Sequence, residues 1–331
     1  MELTIVWAFI IAFAVFAYVV MDGFDLGIGV LFPTFKVGPE RDMAMNSIAP
    51  VWDGNETWLV LGGGGLFAAF PLAYAIVLPA TYPLIIAMLL GLVFRGVAFE
   101  FRWRDPRHRA FWDWAFTGGS LVAAMAQGMI LGALLQGITV VNRAYAGSWF
   151  DWLTPYTLLT GVGTTAGYAL LGATWLVWKL EGTAQDHAHK LAFRAMLATG
   201  VLMGAVSLYN LALRPEYRDR WLTAPEIWFT WPIPVLTAIA GLFLWRALAK
   251  RKEVAPFLLS LALFALGMAG LGLTMWPDVV PPDVTIFDAA APERSQIFML
   301  IGVGITMPLI IAYTGWAYYV FRGKVGAEGY H

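Results

Sequence analysis

Long runs of apolar residues constrain this sequence more than any other feature. About 20 apolar residues in helical form are enough to cross the roughly 30 Å hydrocarbon core of a bilayer. Nine such runs are present, at residues 4–32, 56–76, 78–99, 115–136, 157–178, 193–213, 229–248, 256–276 and 297–320. With 60% hydrophobic and 13% charged residues, the chain is predicted to be an all-α polytopic membrane protein, a single integral membrane domain over 1–331 with about nine transmembrane helices in bundles.

The second and third runs are nearly continuous, and their join is expected near Leu78-Pro79, where a proline can break a helix. If that join were not a turn, the number of spans would be eight.

The basic residues predict how the helices are oriented. With nine spans, fifteen Lys and Arg residues fall in loops on one side and five on the other. Because cytoplasmic loops are enriched in these residues, the N-terminus is predicted to be periplasmic and the C-terminus cytoplasmic. The net charge of −1 gives no reason to expect a nucleic acid partner.

A polar cluster followed by a glycine run stands at residues 46–74. Asp53 and Glu56 lie three residues apart, so they share one face if a helix begins there, although Asp53 could equally be the N-cap. Four consecutive glycines, 62–65, weaken an isolated helix by about 1 kcal/mol each relative to alanine. This composition favours another helix or a flat cofactor lying close against the backbone.

Acidic residues and one arginine lie at the predicted cytoplasmic ends of the first three spans. Asp22 and Asp25 end the first span, Asp53 and Glu56 begin the second, and Arg95 and Glu100 end the third. Charged groups at membrane depth are costly and usually serve a function. Two interpretations stay open: a proton entry path through Asp25, Asp53, Glu56 and Glu100, or a buried ion-pair network in which Arg95 holds the helices in register. Glu56 and Asp22 could also be solvated cap residues.

The histidines argue against a haem group on this chain. There are four, His108, His187, His189 and His331, and all fall in predicted loops or at the terminus. A b-type haem in a helical bundle normally needs an axial ligand at membrane depth. The chain also has no cysteine, which excludes thiolate ligation of haem or zinc. No metal site is predicted.

Three motifs together resemble a known family. They are MDGFDLGIG at 21–29, WDGNETW at 52–58 with its glycine run, and FRGVAFEFR at 94–102. In this order they resemble subunit II of cytochrome bd-type quinol oxidases, and the order and lengths of the later apolar runs extend the resemblance over essentially the whole chain.

The resemblance implies a role in an enzyme complex of the bacterial cytoplasmic (inner) membrane that oxidises quinol and reduces dioxygen to water. Haem b and haem d are then expected in subunit I, the partner, while subunit II carries none, delivers protons from the cytoplasm and can hold a structural quinone. A small single-helix subunit is a further expected partner, beside membrane lipid and quinone. The family's acidic positions correspond to Asp25, Asp53 and Glu100, although relatives also carry a shorter acid at the last.

A stand-alone ion-coupled secondary transporter is the alternative, since it could use the same acids. Against it, no later pair of spans carries matched acids. A transporter should be stable alone, whereas subunit II should need a haem-bearing partner.

Overall fold

The computed structural model describes residues 2–325, and helices dominate it. Nine helices have 18 or more residues within this range, one at each predicted span. They are α1 (Glu2–Leu31), α3 (Trp52–Ala69), α4 (Pro71–Arg104), α5 (Arg109–Gln136), α6 (Pro155–Lys179), α7 (Gly182–Leu213), α10 (Pro232–Ala249), α11 (Ala255–Met275) and α13 (Glu293–Val320). The all-α class is confirmed; the orientation in the membrane stays a prediction.

Seven of the nine long helices in the described range are also apolar enough to cross a membrane by length and composition. The two that fall short are α3 and α6. In α3 the polar first turns and the glycine run lower the hydropathy, and in α6 the many Thr and Gly residues do so. Most residues of α6 are buried among the other helices, whereas α3 buries only Asn55, Trp58, Gly62 and Ala69.

The break between the second and third long helices is not at Leu78-Pro79. Helix α3 ends at Ala69, Phe70 takes φ −130° and ψ 63°, and α4 starts with Pro71 at its first turn. Pro79 lies inside α4, where neighbouring helices can satisfy the freed backbone carbonyl. The predicted boundary was therefore wrong, because a proline suits the first turn of a helix and does not have to end one.

Short elements fill the connections. Four short α-helices are α2 (Pro39–Asn46), α8 (Pro215–Leu222), α9 (Ile227–Thr230) and α12 (Ile286–Ala289), and two 3-10 turns cover Phe32–Thr34 and Pro106–His108. Two antiparallel hairpins pair β1 (Val140–Val141) with β2 (Ala144–Tyr145) and β3 (Asp278–Val280) with β4 (Val284–Thr285). Both hairpins stand at the end of the bundle opposite to α2.

Helix α1 lies at the centre, and its last third, Asp22–Gly29, is entirely buried. The glycines of its motif explain how it fits there. A Cβ atom on Gly27 would overlap the backbone carbonyl of Tyr168 in α6, and one on Gly172 would meet the backbone of α1. These two helices therefore touch backbone to backbone, as small residues allow in membrane proteins.

The glycine run in α3 is used only in part. Gly62 and Gly65 face Val15 and Ile11 of α1, so a helix does lie against this backbone. Gly63 and Gly64 are exposed and meet nothing within 4 Å. The predicted close approach is thus correct for one side of the run.

Helix α13 lies at the edge of the molecule, and Gln296 is the one residue it buries. Both of its ends are held. Trp7 Nε1 donates a hydrogen bond to Gln296 O at 3.2 Å, and Lys179 Nζ donates to Phe321 O and Gly323 O at 2.5 and 3.1 Å.

Candidate functional site

A buried ion-pair cluster joins the first three long helices. Arg95 Nη1 of α4 donates to Asp22 Oδ1 of α1 at 2.6 Å, and Arg95 Nη2 donates to Glu56 Oε1 of α3 at 2.5 Å. The Arg95 and Asp22 side chains are fully buried, while that of Glu56 is 26% exposed. The predicted contact of Arg95 with an acid is present, and Asp22, which could have been a solvated cap, is one of its two partners.

A second set of hydrogen bonds surrounds Asp25, one turn further along α1. Asn55 Nδ2 donates to Asp25 Oδ2 at 2.8 Å, and the Tyr318 hydroxyl of α13 donates to Asn55 Oδ1 at 2.8 Å. Asp25 and Asn55 are buried. The Asn55 amide therefore accepts a hydrogen bond from α13 and donates one to α1.

Aromatic and small residues hold the Arg95 side chain in place. The Trp52 ring stacks on Phe99 with centroids 4.7 Å apart, and the Arg95 guanidinium lies 5.9 Å from the Trp52 ring centroid. One turn before Arg95, the backbones of Gly91 and Gly119 meet directly. This close contact packs α5 directly against Arg95, whose side chain is fully buried.

A line of polar groups continues from the cluster into the interior. Gln127 Nε2 donates to the Tyr18 hydroxyl at 2.8 Å, and the Tyr168 hydroxyl donates to Gln127 Oε1 at 2.6 Å. Tyr18 lies one helical turn before Asp22 on α1. Gln127 thus connects α5 to α6 through Tyr168 and to α1 through Tyr18.

Asp53 and Glu100 do not join this cluster. Asp53 is exposed in the first turn of α3, and the N-cap is Val51, so the N-cap alternative for Asp53 was wrong. Glu100 is exposed and pairs with Arg104 at 3.3 Å. Arg95 and Glu100 are five residues apart, about 140° around a helix, so they point to different sides. Their predicted roles in a proton path remain predictions.

The charges of the cluster do not balance. Asp22, Asp25 and Glu56 face a single guanidinium, and Asp22 Oδ2, Asp25 Oδ1 and Arg95 Nε have no hydrogen-bond partner within the described residues. An isolated charge at low dielectric is very costly. The group becomes neutral when two of the three carboxyls carry a proton. No group of three or more His, Cys, Asp or Glu side chains within residues 2–325 is placed to hold a metal ion.

A second ion-pair cluster, not predicted from the sequence, lies at the same end of the bundle. Arg102 Nε donates to Asp113 Oδ1 at 2.5 Å, and Arg41 Nη1 donates to Asp113 Oδ2 at 2.6 Å. Asp42 pairs with Arg102 at 2.9 Å and also with Arg109. These contacts connect α2 to α4 and α5. The one sequence feature that could have indicated this cluster is the motif FRGVAFEFR, because it ends in Arg102.

The histidines lie at the ends of helices. His108 contacts Asp105, and His187 Nε2 lies 3.1 Å from Thr34 Oγ1. His189 lies near the start of α7, and His331 lies outside the described residues. The placement of His108, His187 and His189 does not fit axial ligation of a haem within the bundle.

Comparison with known proteins identifies the family. The family model for cytochrome bd terminal oxidase subunit II matches residues 3–321. The cytochrome bd-I ubiquinol oxidase subunit 2 of Escherichia coli (strain K12) is 30% identical, covering 98% of this chain and 96% of that protein. The cytochrome bd ubiquinol oxidase subunit 2 of Bacillus subtilis (strain 168) is also 30% identical, covering 96% of each.

A solved structure has the same fold. A chain of the bd oxidase from Geobacillus thermodenitrificans superposes with a TM-score of 0.80 at 18% identity, covering 97% of this chain and 99% of that chain. The family match and the fold together define a polytopic subunit of a membrane-bound quinol oxidase complex. The chain belongs to the cytochrome bd terminal oxidase subunit II family, and the resemblance seen in the three motifs is confirmed.

Proposed function

We propose that this chain, as subunit II of a bd-type quinol oxidase, carries protons from the cytoplasmic side to the interior through the Asp22–Glu56–Arg95 cluster and Asp25. The observation that carries the proposal is the charge imbalance at this cluster, three buried or half-buried carboxyls against one guanidinium. Carboxyl groups with that imbalance at low dielectric exchange protons when a donor reaches them.

The accessible end of the path is Glu56, because it is the one carboxyl of the cluster with solvent access. Asp53 is exposed at the same end of α3 and would deliver protons to Glu56. We assign Glu100, on the neighbouring helix α4, to the same entry surface. Its side chain pairs with Arg104 and not with a residue of the cluster. Arg95 stays in place, since its role is to hold Asp22 and Glu56 together.

From the cluster, two sets of polar groups lead away. One begins at Tyr18, one turn before Asp22 on α1, and continues through hydrogen bonds to Gln127 and Tyr168. The other joins Asp25 through Asn55 to Tyr318 on α13. Hydroxyl groups can pass protons, whereas the amides of Gln127 and Asn55 can only orient their neighbours. We therefore assign proton movement beyond the carboxyls to the first set as far as the Tyr18 hydroxyl, with Asp25, one turn from Asp22 on α1, among the carboxyls that supply it.

The remaining assignments follow from family membership. We propose that haem b and haem d are held by subunit I, that the complex lies in the cytoplasmic (inner) membrane, and that quinol oxidation and dioxygen reduction take place on the partner. A structural quinone in this chain and a small single-helix third subunit remain part of this proposal. Full-length similarity to oxidase subunits weighs against the stand-alone transporter.

The test compares Asp25→Asn with Asp219→Asn in the purified oxidase. Asp219 is an exposed carboxylate in α8, far from the cluster, so its variant removes the same charge. The reduced-minus-oxidised haem spectrum should be intact in both. Oxygen consumption and proton uptake should fall only in Asp25→Asn. Normal proton uptake in Asp25→Asn, with an intact spectrum, would refute the path.

A further inference from the structure

A groove between α7 and the end of α10 is not used by the proposed function. It has a volume of about 320 Å³. It is lined by His189, Lys190, Phe193, Arg194, Leu248 and Arg251. The contact of His187 with Thr34, next to the end of α1, places the groove at the same end of the bundle as the acid cluster.

The lining carries more positive charge than its neighbours neutralise. Lys190 and Arg194 are exposed and form no ion pair with any residue from 2 to 325, while Arg251 pairs with Asp186. The one other acid close by, Glu253, already pairs with Lys324 at 2.9 Å. Two cationic groups therefore face the groove with no protein anion to meet them.

Further basic residues surround the groove. They stand at the end of α10 and in the turn that follows: Arg246, Lys250 and Lys252. These three residues do not line the groove, so the charge in contact with a bound anion comes from Lys190, Arg194 and Arg251.

Below the basic groups the same helical face becomes apolar. Lys190, Arg194, Leu197 and Val201 follow one another at spacings of four, three and four residues, so they lie on one stripe of α7. Leu197 is 54% and Val201 72% exposed. Phe193 and Leu248 form the apolar part of the groove, between the basic residues and the apolar stripe of Leu197 and Val201. The site thus has a cationic end and an apolar continuation along a helix long and apolar enough to span a membrane.

We propose that this groove binds an anionic phospholipid of the surrounding leaflet, with Lys190 and Arg194 on the headgroup phosphate and the acyl chain along Leu197 and Val201. Basic pockets between membrane helices are a recurrent way of binding such headgroups. A free phosphate ion would use the cationic end alone and would leave the apolar stripe without a role. The lipid explains both levels of the site.

The experiment uses the purified oxidase complex, stripped of lipid in detergent and titrated with phosphatidylglycerol or with phosphatidylcholine of the same chain length. Bound lipid is counted by native mass spectrometry. The test variant is Lys190→Gln/Arg194→Gln. The control is Lys250→Gln/Lys252→Gln, which removes the same charge from exposed residues beside the groove that do not line it.

The wild type and the control should bind one phosphatidylglycerol more tightly than phosphatidylcholine, and the test variant should bind it about tenfold or more weakly. A titration with inorganic phosphate tests whether the groove binds the phosphate of a lipid headgroup or a free phosphate ion. Displacement of the lipid by millimolar phosphate, equal binding of both lipids, or unchanged binding in the test variant would each overturn the proposal.

Discussion

The Tyr318 hydroxyl donates a hydrogen bond to Asn55 Oδ1 at 2.8 Å, and this contact connects the outermost long helix to the acid cluster. Asn55 in turn donates to Asp25. Because an amide has one accepting and one donating end, Tyr318 fixes which end of Asn55 faces Asp25. The position of α13 is thereby coupled to a carboxyl group on α1.

Tyr318→Phe should slow turnover several-fold and change its pH profile, while the haem spectrum and the yield of complex stay normal. The phenylalanine leaves Asn55 Oδ1 without its donor, at a cost of about 1–3 kcal/mol, and lets the amide rotate away from Asp25. Tyr313→Phe is the control, because Tyr313 lies on the same helix and is 69% exposed. An unaltered pH profile in Tyr318→Phe would mean that Asn55 does not need α13.

Arg95→Leu should lower the yield of assembled complex. The change leaves the Asp22 carboxylate buried without a counter-charge, and breaking a buried pair from one side costs about 3–5 kcal/mol. Arg104→Leu removes an exposed arginine from the same helix and should assemble normally. Comparable yields from both variants, measured by size-exclusion chromatography, would contradict a structural role for Arg95.

Asp53→Asn should reduce turnover several-fold with the haem spectrum intact. Asp53 is exposed and lies one helical turn before Glu56, whose side chain is partly exposed. Replacing the Asp53 carboxyl with an amide would remove the group that we expect to supply protons to Glu56. The measurement is proton uptake coupled to oxygen consumption. Turnover equal to that of the wild type would take Asp53 out of the path.

Gly27→Ala should lower the unfolding temperature of the complex, although alanine is the better helix former. The added methyl group would overlap the carbonyl of Tyr168 and force α1 and α6 apart, at a cost of about 1–3 kcal/mol. Gly200→Ala is the matched control, because nothing lies within 4 Å of its Cβ position in α7. It should leave the unfolding temperature unchanged or raise it slightly.

Lys179→Met should loosen the C-terminal end of α13. Lys179 is 3% exposed and donates to two carbonyl groups there, while Val325 N donates back to Lys179 O. Methionine keeps the length of the side chain and loses the donors. Amide exchange at residues 321–325 should become faster, with the exposed Lys252→Met as control. Since Tyr318 lies three residues before Phe321, slower turnover should accompany the change.

Apolar runs were sufficient to predict where the long helices lie, because length and hydropathy are local properties. The break between α3 and α4 was misplaced because both Phe70-Pro71 and Pro79 satisfy the local rules for a helix end. Packing against other helices decides which of these two positions ends the helix, and the residues near each position do not encode that packing.

The acid cluster was predicted only in part: Glu56, Arg95 and Asp25 lie in it or beside it, whereas Asp53 and Glu100 lie outside it. Helical arithmetic alone separates Glu100 from Arg95, and that signal was present in the sequence. The choice of Asp22 over Asp25 as the partner of Arg95 depends on the rotation of α1 against α4, set by glycine contacts far along the chain. The contribution of Tyr318 could not be predicted, since 263 residues separate it from Asn55.

The low hydropathy of α3 has a consequence for how the protein is made. A segment with two acids in its first five residues and four glycines in its middle gains little from entering lipid alone. Its counter-charge, Arg95, is synthesised only near the end of α4, and a single residue, Phe70, separates the two helices. We therefore expect α3 and α4 to enter the bilayer together as a hairpin that packs against the earlier helix α1.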